Sequence, residues 1–126
     1  MIVLRCFVLL VACLMCLCVG AFAGEADVLM VDVAANDRGG YNFTVTVAHK
    51  DSGWDHYADR WEILDGDGNI LGTRTLHHPH VNEQPFTRSL SGVEIPDHVN
   101  VVTVRAHDSV HGQGGKVVSV DLTGNR

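Results

Sequence analysis

The most informative absence in this sequence is that of cysteine from most of its length. The four cysteines, Cys6, Cys13, Cys16 and Cys18, lie inside an apolar N-terminal stretch. A chain that loses this stretch on export keeps no thiol, so disulfides, thiolate metal ligands and cysteine nucleophiles are excluded from its folded part. Such a domain must depend on its hydrophobic core, for which roughly 100 residues are sufficient.

The N-terminal stretch has the features of a cleaved signal peptide. Arg5 supplies a short basic region, an apolar run follows, and Ala21-Phe22-Ala23 is a small-residue cleavage pattern. We therefore expect a signal peptide over residues 1–23, a mature chain that begins at Gly24, and one domain over residues 24–126. An uncleaved membrane anchor is one alternative, although the apolar run is shorter than the about 20 residues that a span needs.

A lipid anchor is the second alternative for the N-terminal stretch. Leu10-Val11-Ala12-Cys13 resembles a bacterial lipobox, in which the cysteine would be acylated. The residues after Cys13 stay apolar through Phe22, whereas a lipoprotein normally turns polar after that cysteine. The sequence therefore favours cleavage and release, and it predicts a periplasmic or secreted protein without stable membrane insertion after cleavage.

Basic residues are also scarce. Nine Lys and Arg stand against 15 Asp and Glu, for a net charge of −6 that becomes −7 when Arg5 leaves with the signal peptide. Because basic runs are absent from the sequence, nucleic acid and anionic membrane surfaces are not expected partners. The eight histidines are the compositional outlier, and they gain charge as the pH falls through about 6.5.

Short segments of alternating apolar and polar residues dominate the rest of the chain and predict β-strands. The clearest is 41–49, which places Tyr41, Phe43, Val45 and Val47 on one face. Turn residues separate the segments, and Asp65-Gly66-Asp67-Gly68-Asn69 reads as a tight hairpin connection. The predicted strands are 28–34, 41–49, 57–64, 70–76, 86–90, 99–107 and 116–122.

This pattern predicts an all-β fold, an antiparallel two-sheet immunoglobulin-like sandwich of about seven strands. Trp61 is the expected central aromatic residue, and Trp54 is expected to cover one end of the sandwich. The last two strands should face each other across the core, with Val102, Val104 and Ala106 opposite Val118, Val120 and Leu122.

The segment SLSGVEIPDHVNVVTVRAHDSVHGQGGKVVSVDL resembles the C-terminal half of fibronectin type III and related immunoglobulin-like domains. In those domains a leucine and a glycine precede a proline-containing corner and two long strands. The tyrosine usual in the penultimate strand is missing, since Val102 or Val104 takes its place. The resemblance implies the fold and no chemistry. Small exported bacterial proteins without an assigned function contain segments similar to two further stretches, WDHYADRWEILDGDGNILGTR and HHPHVNEQPFTRSLSGVEIP.

The stretch LHHPHVNEQPF holds three histidines within four residues and is the main candidate for chemistry. In an extended backbone residues two apart point the same way, so His78 and His80 should converge while His77 points away. A stable metal site needs a further ligand, for which His56, His107, His111 and Glu83 are candidates. The predicted metal ligands are therefore His78, His80, His56, His107 and His111. The alternative is an ordinary polar loop, because Pro79 cannot continue a sheet ladder.

The ligand types limit which metal such a site would hold. Nitrogen-rich sites without thiolate suit Cu(II), Zn(II) or Ni(II), and copper or zinc is the expected cofactor if one binds. Calcium at Asp65, Asp67 and Asn69 is not favoured, because Ile70 and Leu76 occupy the positions where a calcium loop has glycine and glutamate. Those residues are better explained by the hairpin turn.

Catalytic motifs are absent from the sequence: it has no HExxH, nucleophile elbow, phosphate loop or paired-carboxylate motif. We therefore expect a small exported binding or accessory module that is not an enzyme, with a divalent transition metal bound by clustered histidines. Two alternatives stay open. One is a protein-interaction module that binds an exported protein without metal, and the other is an enzyme that uses a histidine-bound metal.

Overall fold

The strands form where apolar and polar residues alternate, as the sequence predicts. The computed structural model describes residues 24–125, so the predicted signal peptide and Cys13 lie outside the described residues. Over that range the strands are β1 (Asp27–Ala35), β2 (Tyr41–Ala48), β3 (Ala58–Leu64), β4 (Ile70–Thr75), β5 (Phe86–Val93), β6 (Val101–Asp108) and β7 (Val118–Asp121), followed by a 3-10 turn at Thr123–Asn125. Within residues 24–125 no helix is long and apolar enough to cross a bilayer.

Two antiparallel sheets account for the strands between residues 24 and 125. One sheet has the order β1-β2-β5 and the other the order β4-β3-β6-β7. Each sheet has one apolar face, and the two faces pack together because neither sheet can bury its apolar residues alone. The predicted all-β, two-sheet immunoglobulin-like sandwich is confirmed.

The core lies between the sheets and centres on large side chains that are fully buried. Trp61 of β3 and Phe43 of β2 are both 0% exposed, and Phe86 of β5 is 1% exposed. Trp61 is thus a central aromatic residue, as predicted. The role predicted for Trp54 is wrong: it is 66% exposed and packs edge-on against Tyr57 at a centroid distance of 5.5 Å. Trp54 lies in the loop before β3, outside the alternating pattern that directs side chains inward.

The predicted relation between the last two strands is also wrong. Val102 pairs with Val120 and Val104 with Val118, so β6 and β7 are neighbours in one sheet and do not face each other across the core. Alternation predicts which face of a strand is buried, but it does not say whether two strands share a sheet. The predicted hairpin between β3 and β4 is present, and Asp65 stabilises it by accepting bonds from the backbone N–H groups of Asp67 and Asn69.

Three connections meet at one end of the sandwich because the strands that bear them end side by side. Val47 near the end of β2 pairs with Phe86 at the start of β5, and Ala58 at the start of β3 pairs with Asp108 at the end of β6. The loops β2–β3, β4–β5 and β6–β7 therefore lie together, and we call this the histidine end of the domain. It carries His49, His56, His77, His78, His80 and His111.

Candidate metal centre

Two histidines and one aspartate at the histidine end bring their ligand atoms together. The Nε2 atom of His49 lies 3.2 Å from the Nε2 atom of His56, and that atom lies 3.1 Å from Oδ1 of Asp108. The three ligand atoms all lie within 4.8 Å of one another. We call His49, His56 and Asp108 the metal triad.

The strands explain why two members of the metal triad point inward. His49 comes two residues after Val47 and continues the buried face of β2, while Asp108 comes two residues after Ala106 and continues the buried face of β6. His49 and Asp108 are buried accordingly, at 5% and 0% exposed. His49 and Asp108 thus occupy the positions at which the alternation would place another apolar core residue.

Asp51 holds the ring of His49 in a defined orientation. The Nδ1 atom of His49 is hydrogen-bonded to Oδ1 of Asp51, and both side chains are buried. The same carboxylate accepts the backbone N–H groups of Ala58 at 3.0 Å and His80 at 2.7 Å. In the neutral tautomer that donates Nδ1–H to this carboxylate, the lone pair of His49 is on Nε2, the atom that faces His56. A carboxylate behind a histidine is the usual arrangement at protein metal sites.

Asp108 is ionised in its buried position. Burial alone would raise the pKa of Asp108, but the N–H groups of His111 and Val110, together with the nearby rings of His111 and His49, hold that pKa below its ordinary value. Those N–H groups donate to Oδ1 at 2.6 and 2.9 Å. Among the described residues the other oxygen, Oδ2, has no hydrogen-bond partner. A buried carboxylate oxygen without a partner is costly, and a cation would offset that cost.

Two of the three separations among the triad atoms fit a transition metal, and the third, between His49 and Asp108, lies within 4.8 Å. Zinc binds histidine nitrogen and carboxylate oxygen at about 2.0–2.2 Å, which places two ligand atoms of a tetrahedral site about 3.3 Å apart. The two measured separations of 3.2 and 3.1 Å are close to that value. Two imidazoles and one carboxylate are also a donor set that copper and zinc accept.

Hydrogen bonds of side chains and of the backbone hold the loops that carry the triad in place. Gln84 accepts the backbone N–H of His49 at 3.0 Å and donates to the carbonyl oxygen of His80 at 2.9 Å, which joins loops β2–β3 and β4–β5. The backbones of Tyr57 and Ser109 join loops β2–β3 and β6–β7, since Ser109 donates its N–H to the Tyr57 carbonyl at 2.9 Å. The triad geometry is therefore supported by contacts outside the triad itself.

Of the five histidines predicted as metal ligands, His56 and His111 lie at the metal triad. His56 is a member, and the ring of His111 lies 4.8 Å from the ring of His56. The Nδ1 atom of His111 is 3.3 Å from Oδ1 of Asp108, and its side chain is 40% exposed. His111 therefore stands at the solvent side of the site.

The histidines of the HHPH stretch lie beside the metal triad without joining it. His80 is buried, stacks on Phe86 at 4.1 Å, and packs against His78 at 4.7 Å. Its Nδ1 atom is 4.0 Å from Oδ2 of Asp51, and among the described residues neither ring nitrogen has a hydrogen-bond partner. Burial lowers the pKa of His80, with smaller contributions from the positive charges of Arg88 and His78. The rings of His78 and His80 thus lie next to each other, and the ring of His80 stacks on Phe86.

His107 and Glu83 are engaged elsewhere. His107 precedes Asp108 in β6, so its side chain leaves the opposite face of the sheet, where its Nδ1 atom lies 2.6 Å from Oδ1 of Asp59. Glu83 forms an ion pair with Arg88 at 2.8 Å. Neither residue is part of the metal triad.

His49 and Asp108 were not among the predicted ligands, although the sequence carries a signal for the inward direction of both. The alternation Phe43, Val45, Val47 leads to His49, and the alternation Val102, Val104, Ala106 leads to Asp108. A histidine and an aspartate at the next inward position of two core strands are polar groups directed into the sandwich.

Comparison with known proteins gives little further information. No family model matches the chain, and no solved structure matches it. A protein of Halomicrobium mukohataei named "Putative lipoprotein" is 44% identical over 99 residues, which cover 77% of this chain and 47% of that protein. The chain thus spans about half the length of the curated relative that it matches.

Proposed function

We propose that this protein is a small exported, non-enzymatic accessory module that binds one divalent transition-metal ion, zinc or copper, at His49, His56 and Asp108. The observation that carries the proposal is the spacing of the triad atoms, with the His56 Nε2 atom 3.2 Å from the His49 Nε2 atom and 3.1 Å from Asp108 Oδ1. An ion between these atoms would accept the lone pairs of both imidazoles and neutralise a buried carboxylate.

The charge balance of the site supports a cation. Asp51 and Asp108 are buried carboxylates within the same cluster, and neither has a lysine or arginine partner among the described residues. Buried charges in proteins are normally paired or bound to a metal. A divalent cation at the triad would balance this negative charge.

The proposed export rests on the N-terminal sequence and on the name of the relative. Residues 1–23 have the pattern of a signal peptide, and the relative is named "Putative lipoprotein". Release after Ala23 and acylation of Cys13 give different mature N termini. Mass spectrometry of the protein recovered from the cell envelope and from the medium distinguishes them, since only the acylated form begins at Cys13 with a lipid-sized mass increase.

Calorimetric titration of chelator-treated residues 24–126 with Zn²⁺ and Cu²⁺ tests the metal proposal. We expect one ion per chain, and loss of that binding in a His49→Ala/His56→Ala double variant. His77→Ala/His98→Ala is the matched control, because both of these histidines are exposed and lie outside the triad. Equal binding by the wild-type chain and the triad variant would refute the proposal. Co-purification of an exported protein that survives chelation, without metal binding, would instead favour a protein-interaction module.

A further inference from the structure

The metal triad supplies three ligands, while tetrahedral zinc takes four. Two members of the triad are nearly or fully buried, and the side chain of His56 is 14% exposed. The fourth coordination position must therefore lie toward solvent. His111 stands on that side, and its side chain is 40% exposed.

One distance from His111 to the triad, that to Asp108, already suits coordination. Its Nδ1 atom is 3.3 Å from Oδ1 of Asp108, which equals the separation of about 3.3 Å between two ligands of a tetrahedral zinc ion. The ring lies 4.8 Å from the ring of His56. His111 is not in the group whose ligand atoms already lie together, so coordination would require a rotation of its side chain toward the two histidine nitrogens.

The backbone that carries His111 is fixed, so such a rotation does not require the loop to move. The His111 N–H donates to Oδ1 of Asp108 at 2.6 Å. Asp108 and Gly112 exchange two backbone hydrogen bonds, of 3.1 and 3.2 Å. Gly112 has φ +75°, a conformation that side-chain-bearing residues rarely adopt, and it closes the turn directly after His111. The turn thus holds the Cα atom of His111 beside the site.

We infer that His111 is the fourth, exchangeable ligand of the metal ion, so that the ion enters and leaves the site past this exposed ring. This inference rests on the proposed function, because it assumes that the triad holds a metal. An exposed ligand that can rotate away gives an incoming donor, such as an imidazole or thiolate of another protein, direct access to the ion. The site would then suit delivery or acceptance of a metal better than permanent structural binding.

Long-range ¹H–¹⁵N spectra of the imidazoles, recorded with and without one equivalent of Zn²⁺, test this inference. We expect metal-induced ¹⁵N shifts at Nε2 of His49, Nε2 of His56 and Nδ1 of His111. His111→Ala should weaken zinc binding by about 10-fold or more. The loss of a direct ligand should cost at least as much affinity as the loss of an outer-shell partner of a metal ligand. His98→Ala should leave the affinity unchanged, because His98 is exposed and lies away from the histidine end.

The possible outcomes separate the two proposals. Shifts at all three histidines support the inference. Shifts at His49 and His56 with an unchanged His111, and equal affinity for His111→Ala, overturn the inference and leave the proposed function standing. Unchanged spectra for all three residues overturn the proposed function and this inference together.

Discussion

Asp51→Asn gives the sharpest prediction about the folded histidine end, because this substitution keeps the size of the side chain and changes only its charge and its hydrogen bonds. The Asp51 carboxylate accepts three donors: Nδ1 of His49 and the backbone N–H of Ala58 on Oδ1, and the backbone N–H of His80 on Oδ2. An amide has one acceptor oxygen, so it can serve only one of these two sides. If the oxygen stays with His49 and Ala58, the new NH₂ group meets the His80 N–H.

The magnitude follows from these bonds. A buried donor left without an acceptor costs about 1–3 kcal/mol, and the remaining bonds lose the additional strength that a charged acceptor gives them, about 1 kcal/mol. We expect a loss of about 2–4 kcal/mol from a free energy of unfolding that is about 5–15 kcal/mol for domains of this kind. The melting temperature should fall by at least about 8 °C.

Urea unfolding in the presence of chelator measures this loss without any contribution from bound metal. The midpoint should fall while the denaturant dependence of the unfolding free energy stays the same. Asp55→Asn is the matched control, because Asp55 lies in the same loop and is exposed; its change should stay within about 0.5 kcal/mol. If Asp51→Asn is as mild as Asp55→Asn, the carboxylate does not anchor the three donors and the reasoning is wrong.

Three further predictions address the core, the backbone and the response to pH. Phe43→Ala, at a fully buried site, should lower the unfolding free energy by about 3–5 kcal/mol in urea titrations. Gly115→Ala would place a Cβ atom 2.0 Å from a backbone oxygen and should cost at least about 1–3 kcal/mol, whereas Gly66→Ala has open space and should change thermal stability little. Burial lowers the pKa of His80 in the folded state. Below the ordinary histidine pKa of about 6.5, the unfolded state therefore binds more protons than the folded state. Stability should therefore fall as the pH falls through that value, and less steeply in His80→Gln.

The fold was predictable from the sequence because strand alternation is a local property. Segments such as 41–49 carry their buried face in every second residue, and the structure forms β2 over Tyr41–Ala48. The pairing of β6 with β7 was not predictable in the same way, because alternation is identical for two strands that share a sheet and two that face each other. Trp54 was misplaced because a loop residue has no alternation to direct it.

The candidate site was predictable only in part, because it depends on which loops meet. His56 and His111 were both predicted as ligands, and the structure brings their rings to 4.8 Å from each other. His49 and Asp108 were not predicted, although their inward directions follow from β2 and β6. His107 and Asp108 are adjacent in β6, so their side chains leave opposite faces of the sheet. Residue type and the local density of histidines in the sequence do not show which of the two points inward.

Diffraction from crystals of residues 24–126 grown with Zn²⁺, recorded on both sides of the zinc absorption edge, tests the central claim most directly. The account predicts one anomalous peak per chain, about 2.0–2.2 Å from Nε2 of His49, Nε2 of His56 and a carboxylate oxygen of Asp108. A strong peak at His78 or at His107, or none at the metal triad in crystals that hold zinc elsewhere, would contradict it.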